Sequence, residues 1–439
     1  MRVGTVSVRG ARLRRVAIDV APLRHRDFRR LFVGQGVSFV GYQLTAVAVA
    51  VQVYEISRSS FWVGMIGLVA LVPLIVFGLW GGAVADAVDR RLLLLAASGL
   101  VWTVTLVLLL QALLGLASLA LILALVGLQS AGVAVTSPVR NAIVPRLIPV
   151  RLVPAANTLN FTATNVGMVA GPLLAGVLIA RFGGFAVAYA ADAALFTVAL
   201  YAALRLPPLP PLAAQPVGAD RPPPHRAGLR SVVEGLRFIR GRPVLLMSFA
   251  VDVVAMVFAM PRALFPEVAA TRFGGPAAVG WLYASIAIGA VVGGLLSGWI
   301  GRVRRQGLAL VAAVVGWGLA VALSGLARSL WLAVLLLAVA GAADLVSAVF
   351  RQTILQVYAP DELRGRLQGV FTVVVAGGPR LGDLRAGATA ALVGATASWV
   401  AGGVACAAIV IAVAAATPAL LRYDATTTTD AARGSDPSG

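Results

Sequence analysis

The chain has 439 residues, 60% hydrophobic and 12% charged, with a mean hydropathy of +0.93 and a formal net charge of +19. Ordinary soluble domains carry ~25% charged residues, so this composition excludes a water-soluble fold and points to an integral membrane protein. All 36 basic residues are arginine, and without lysine neither a P-loop nor a Schiff-base enzyme can be built. The single cysteine, Cys406, leaves no internal disulfide. The two histidines, His25 and His225, lie in arginine-rich segments, so no zinc site is expected.

A helix crossing ~30 Å of hydrocarbon at 1.5 Å per residue needs ~20 mostly apolar residues. Twelve windows qualify, at 31–54, 62–85, 92–114, 117–139, 157–180, 184–204, 243–266, 278–301, 307–327, 329–350, 369–392 and 398–421. Their continuous Leu, Val, Ala and Gly runs lack the ~10-residue alternating segments of a transmembrane β-barrel. The expected fold class is therefore an all-α membrane protein of twelve transmembrane helices in two six-helix, pseudo-symmetric bundles.

Nine arginines precede the first span, and a 24-residue window is too long for the 7–15-residue core of a signal peptide, so no cleavage is expected. Residues 1–204 read as the N-terminal bundle and 205–242 as a proline- and arginine-rich linker. Within it Leu229, Val232, Val233, Leu236 and Ile239 share one face of an interfacial amphipathic helix. The C-terminal bundle follows at 243–421, and 422–439 reads as a disordered tail. Basic residues near span ends stay on the cytoplasmic side. With the N-terminus inside, 29 arginines fall in cytoplasmic segments, four in outer loops (Arg58, Arg181, Arg272, Arg328) and three in spans. Both termini are thus expected in the cytoplasm, and the basic balance reads as topology and contact with anionic lipid, with no nucleic-acid partner.

The halves repeat. Val63-Gly64 followed by Gly82 recurs as Val279-Gly280 followed by Gly298, at an offset of 216. Arg140–Leu152 aligns with Arg351–Leu363 at an offset of 211, matching Arg140/Arg351, Ile143/Ile354, Pro149/Pro360 and Leu152/Leu363. Six helices plus six, joined by a long basic loop, is the arrangement of two parallel repeats about an axis normal to the membrane.

The loop from Gly82 through Asp86 to Arg90 and Arg91, with the segments PRLIPVRLVPAANTL, PDELRGRLQGV, MPRALFP and GPRLGDL, resembles the major facilitator superfamily. Within it the chain is similar to the enterobactin-exporter-like branch of efflux proteins, over residues 28–420. The loop departs from the superfamily signature at Ala87, where a basic residue is usual, and at Asp89, where glycine is usual. Asp86 at the end of span two can pair with Arg90, Arg91 or an arginine of a neighbouring helix, and a pair formed in one conformation biases a two-state equilibrium, which makes the loop a gate latch. The plainer reading of the two arginines is topological anchoring. In span five, Gly167, Gly171, Pro172 and Gly176 combine small residues at close spacing with a proline, a helix-packing motif. The run resembles the later part of the motif of exporting branches, with Thr158 at the upstream glycine position.

Eight windows hold no charge, and seven charges occupy the other four. Each costs at least ~2.5–3.5 kcal/mol at the bilayer centre, and such residues usually face a polar cavity. Asp192 and Asp252 lie near mid-depth with no arginine within a turn of their own helices, whereas Asp344 lies two turns from Arg351. In span eleven Arg380 and Asp383 share a face, as expected for an ion pair, leaving Arg385. Arg385 or Arg262 would meet Asp252 or hold an anionic substrate group through a guanidinium fork. Gln35, Tyr42, Gln43, Asn165 and Tyr189 supply further polar contacts to a mostly apolar cavity.

Desolvation favours the protonated form of a carboxylate, so Asp252 first, Asp192 second and Asp344 third are the expected proton carriers. One charge moved through 100 mV supplies ~2.3 kcal/mol, roughly a fortyfold concentration ratio. The expected function is proton-coupled efflux of a small amphipathic organic molecule, of siderophore or drug type, across the inner membrane by alternating access. A monomer is expected, with the substrate, protons and lipid as its partners and no cofactor or metal. An uptake permease or uniporter of the same architecture and a non-transporting sensor are the alternatives. A lipid-acting membrane enzyme would need a nucleophile, base or metal constellation that spans without histidine do not offer.

Overall fold

The computed structural model of the chain describes residues 19–210, 234, 237–358 and 361–423, without the side chains of 79–87, 358, 361–366, 368–370 and 372–373. The regular elements are all helical. The first six long helices are α1 (Arg26–Ser57), α2 (Ser60–Ala87), α3 (Arg90–Leu113), α4 (Leu119–Leu147), α5 (Val153–Phe182) and α6 (Phe185–Leu204). After the linker come α7 (Pro243–Phe258), α8 (Phe265–Arg272), α9 (Pro276–Leu295), α10 (Gln306–Leu326), α11 (Leu330–Tyr358), α12 (Asp361–Val393) and α13 (Ala395–Ala416). Local chemistry sets several ends. Asp89 caps α3 by accepting from the Arg91 amide at 2.8 Å, and α5, α7 and α9 each carry a proline in their first turn, where its missing N–H costs nothing.

Among the described residues eleven helices, with α7 and α8 counted together, are long and apolar enough to cross a membrane. The twelfth expected crossing, at 369–392, is not among them. The window at 369–392 is a helix of 33 residues, but Arg380, Asp383 and Arg385 and its polar start keep it below the apolarity of a free-standing span. The window at 243–266 is also broken: α7 ends at Phe258, a 3-10 turn runs Arg262–Leu264, and α8 follows. Pro261 and Pro266 flank the break, where each removes a backbone donor. The amphipathic helix expected at 229–239 and the tail from 424 fall largely outside the described residues; 237–240 are helical and Ile239 is buried.

The first six helices pack among themselves, α1 on α5 and α6 and α4 on α2 and α3, and the later ones likewise, α11 on α9 and α10 and α13 on α10. Two seams join the sets, α2 on α12 and α5 on α9. The first seam is traced by Ser60 against Gly387, Gly64 against Asp383, Gly67 against Arg380 and Leu71 against Gly377, an antiparallel register. It starts at the end of the molecule opposite the chain termini, the distal end, and eleven residues of rise take it ~16 Å, about half the hydrocarbon thickness. The second seam sets Gly280 of α9 against Pro172 and Gly176 of α5, also near the distal end. Gly64 and Gly280 are equivalent in the internal repeat. A Cβ built at Gly280 would stand 2.5 Å from the Pro172 carbonyl oxygen, so both seams rest on backbone contact that only glycine permits. Ser60 of α2 also donates a hydrogen bond to Glu267 of α8 across the distal end.

Candidate functional site

A cavity of about 180 Å³ opens among α1, α3, α4 and α6 on the half of the bundle nearer the termini. Its walls are apolar (Leu31, Phe39, Leu94, Val101, Val133, Phe196), studded with Gln35, Ser38, Tyr42, Ser98, Thr136, Ser137 and Arg140. Gln35 and Tyr42 were expected here. Arg140 and the hydroxyls of α3 and α4 were not, because Arg140 stood out in the sequence only as a repeat marker.

Asp192 is fully buried. Its Oδ2 accepts hydrogen bonds from Thr45 Oγ1 at 2.7 Å and Thr105 Oγ1 at 3.3 Å, and its Oδ1 abuts Gly41. No salt bridge reaches it among the described residues. Helix periodicity places this cluster relative to the cavity: Thr45, Thr105 and Asp192 lie one turn deeper along α1, α3 and α6 than the lining residues Tyr42, Val101 and Phe196. Tyr42 lies within electrostatic reach of both Asp192 and Arg380 of α12, so the cavity floor is where the two sets of helices meet. Above it, Gln52 and Gln111 pair side chain to side chain at 3.1 and 3.3 Å, and Tyr189 donates to Gln52 at 2.6 Å. Tyr189 is therefore a sealed member of a network rather than a cavity wall.

In the second set the charges have partners. Arg351 of α11 forms a buried ion pair with Asp252 of α7 and reaches Asp344 at 3.7 Å, whose side chain is 33% exposed. Asp252 thus has no arginine on its own helix but one from across the bundle, which removes the reason for ranking it first among the carriers. No salt bridge within 4.0 Å joins Arg380 to Asp383; Arg380 instead donates to the Ala376 carbonyl at 2.7 Å. Asp383 faces the Ala263 amide and shares its surroundings with Arg262 and Arg380. Arg385, expected at a substrate or at Asp252, caps the break in the seventh span instead. It donates to the carbonyls of Val257 at 3.0 Å and Phe258 at 2.6 Å, groups left without helical partners where α7 stops.

At the loop after α2, the side chains of Gly82 and Asp86 lie outside the described residues. Arg90 donates to the Ala142 carbonyl of α4 at 3.2 Å and Arg91 to the Leu204 carbonyl of α6 at 2.8 Å, so both tie helix ends within the first set. In α5, Gly167 packs on Phe39 and Gly171 on Gln43 and the backbone of α1, whereas Gly176 serves the seam with α9. Gln43 is thereby held in that contact, and Asn165 bonds back to Phe161 of its own helix at 2.9 Å.

A helical bundle with two glycine seams and a polar-studded cavity beneath them is an architecture suited to a membrane transporter. The comparisons agree: the model of the transmembrane secretion effector family matches residues 17–435. Enterobactin exporter EntS of Shigella boydii is 31% identical over 382 residues, covering 86% of this chain and 89% of that protein. EntS of Citrobacter koseri is 31% identical over 371 residues, 84% and 86%. The nucleoside transporter NupG matches the fold with a TM-score of 0.68 at 14% identity, covering 91% of this chain and 100% of that one. A bacterial homologue of the human lysosomal transporter Spinster, in an inward-facing and unoccupied conformation, does so at 0.65 and 19% identity, covering 93% and 98%. The chain belongs to the transmembrane secretion effector family of major facilitator transporters, and its relatives are transporters, not enzymes.

Proposed function

We propose that the protein is a secondary exporter of the inner membrane that expels a small amphipathic organic molecule of siderophore or drug type in exchange for protons, with Asp192 as the proton carrier. The observation that carries the reading is the placement of Asp192: a buried carboxylate held by two hydroxyls and, among the described residues, no cation, one turn beyond the floor of the polar-studded cavity. A hydroxyl pair serves either protonation state, because each hydroxyl can donate to the carboxylate or accept from the acid. Asp252 does not have that freedom, since losing its charge would leave Arg351 short of its nearest counter-ion. The seams close the distal end and the cavity lies toward the termini, which supports an inward-open state in which the first and last six helices rock about the seams. The relatives named as enterobactin exporters support the direction of transport. Twelve crossings, both termini in the cytoplasm and a monomer complete the proposal.

The test uses proteoliposomes with an internal pH dye, enterobactin as one cargo and ethidium as another. Wild-type protein is expected to move protons against at least one of them. Asp192→Asn protein is expected to insert normally and give proton flux at the level of empty liposomes, and undiminished proton flux in that variant would reject the assignment.

A further inference from the structure

The internal repeat makes Arg140 of α4 and Arg351 of α11 equivalent, yet their surroundings are opposite. Arg351 is enclosed by two carboxylates, Asp252 and Asp344. At the offset of 211, Asp344 corresponds to Val133, and Asp252 corresponds to Gly41, or to Gly36 at the other offset of 216. The first half therefore has the arginine without either acid at the equivalent positions. Among the described residues Arg140 makes no salt bridge or hydrogen bond, and it lines the cavity with Gln35, Ser98, Thr136 and Ser137. An arginine set among apolar cavity walls needs compensation for its charge. Among the described residues, carboxylates compensate Arg351 and none compensates Arg140.

We propose that Arg140 is the anion-recognition site of the cavity, taking a carboxylate, phenolate or phosphate group of the substrate through its planar fork while the apolar walls hold the organic body. This rests on the transporter reading above but not on proton coupling by Asp192. A guanidinium presents paired N–H donors that match two oxygens of such a group, and the hydroxyls of Ser98 and Ser137 supply neutral donors to the remaining lone pairs. The substrate's own charge then plays the part that Asp252 and Asp344 play for Arg351. An empty cavity leaves the arginine under-compensated, so an anionic ligand gains what an uncharged analogue of the same shape cannot.

The probes are salicylate and its uncharged analogue salicylamide, bound to the full-length protein in phosphatidylcholine nanodiscs and followed by calorimetry. Wild-type protein is expected to bind salicylate roughly tenfold or more tighter than salicylamide, as for one charge-assisted fork. Arg140→Gln is expected to erase the preference while salicylamide affinity stays unchanged, which also shows that the cavity is still folded. Arg140→Lys is expected to keep part of the preference. Equal affinities in the wild type, or a preference that survives Arg140→Gln, would overturn the proposal. Nanodiscs containing phosphatidylglycerol separate substrate from lipid: salicylate binding abolished there in the wild type would assign the arginine to a lipid headgroup and overturn it as well. Because binding is read without transport, Asp192→Asn protein is expected to retain the preference, so failure of the proton assignment and failure of this one give different results.

Discussion

Gly280→Leu protein is expected to reach the membrane at wild-type levels but to fail to close its distal end. A side chain at 280 must enter space already occupied by the Pro172 carbonyl and the Gly176 backbone, and neither can swing aside as a flexible side chain would. Overpacking of this kind costs about 1–3 kcal/mol. Under the rocking proposed above the contact exists in one conformation only, and that cost becomes a shift of roughly 5–150-fold in the population of the closed seam. Disulfide formation between Ser60→Cys and Glu267→Cys, in a Cys406→Ala background, reads the closure, because Ser60 and Glu267 bond across the distal end. The cross-link yield is expected to fall several-fold in Gly280→Leu, to fall similarly in Gly64→Leu on the equivalent seam, and to fall less in Gly280→Ala. Wild-type yield in both leucine variants would mean that the seams do not govern closure.

The second large effect is on stability. Removing Arg351 strands Asp252, which is 1% exposed, as an unpaired buried charge, and breaking such a pair from one side costs about 3–5 kcal/mol. Arg351→Ala is therefore expected to lower the midpoint of thermal unfolding in detergent far more than the double replacement Asp252→Asn with Arg351→Gln, which removes both charges and keeps two hydrogen-bonding amides. A double variant as unstable as the single one would show that the arginine stabilises through packing alone.

Much of this fold could be read from residues before any coordinates. Hydrophobic run length located the eleven helices that are long and apolar enough to cross among the described residues, because backbone hydrogen bonds must close within the segment in lipid. Two of the expected spans depart from a plain apolar helix for the same reason. Span eleven carries charge in its interior, so its helix is held by the seam with α2 rather than by its own apolarity, and span seven breaks at prolines that Arg385 then caps. Both depend on neighbours that a one-dimensional reading does not see. The site was less legible for the same reason. Sequence distance kept Arg351 away from Asp252, although they are an ion pair, and it made Arg385 look available although helix carbonyls already occupy it. The signal that could have found Arg140 was present in the repeat: aligning the halves on Arg140 and Arg351 and asking which acids accompany each exposes the asymmetry.

The claim on which the transport account turns is that water reaches the Arg140 cavity from the face of the membrane bearing the termini while the distal seams are shut. Thr136→Cys in the Cys406→Ala background puts a thiol on the cavity wall, and a membrane-impermeant maleimide applied to inside-out and to right-side-out vesicles without substrate reports which face has access. Labelling in inside-out vesicles alone is the predicted result; labelling confined to right-side-out vesicles, or absent from both, would contradict the account.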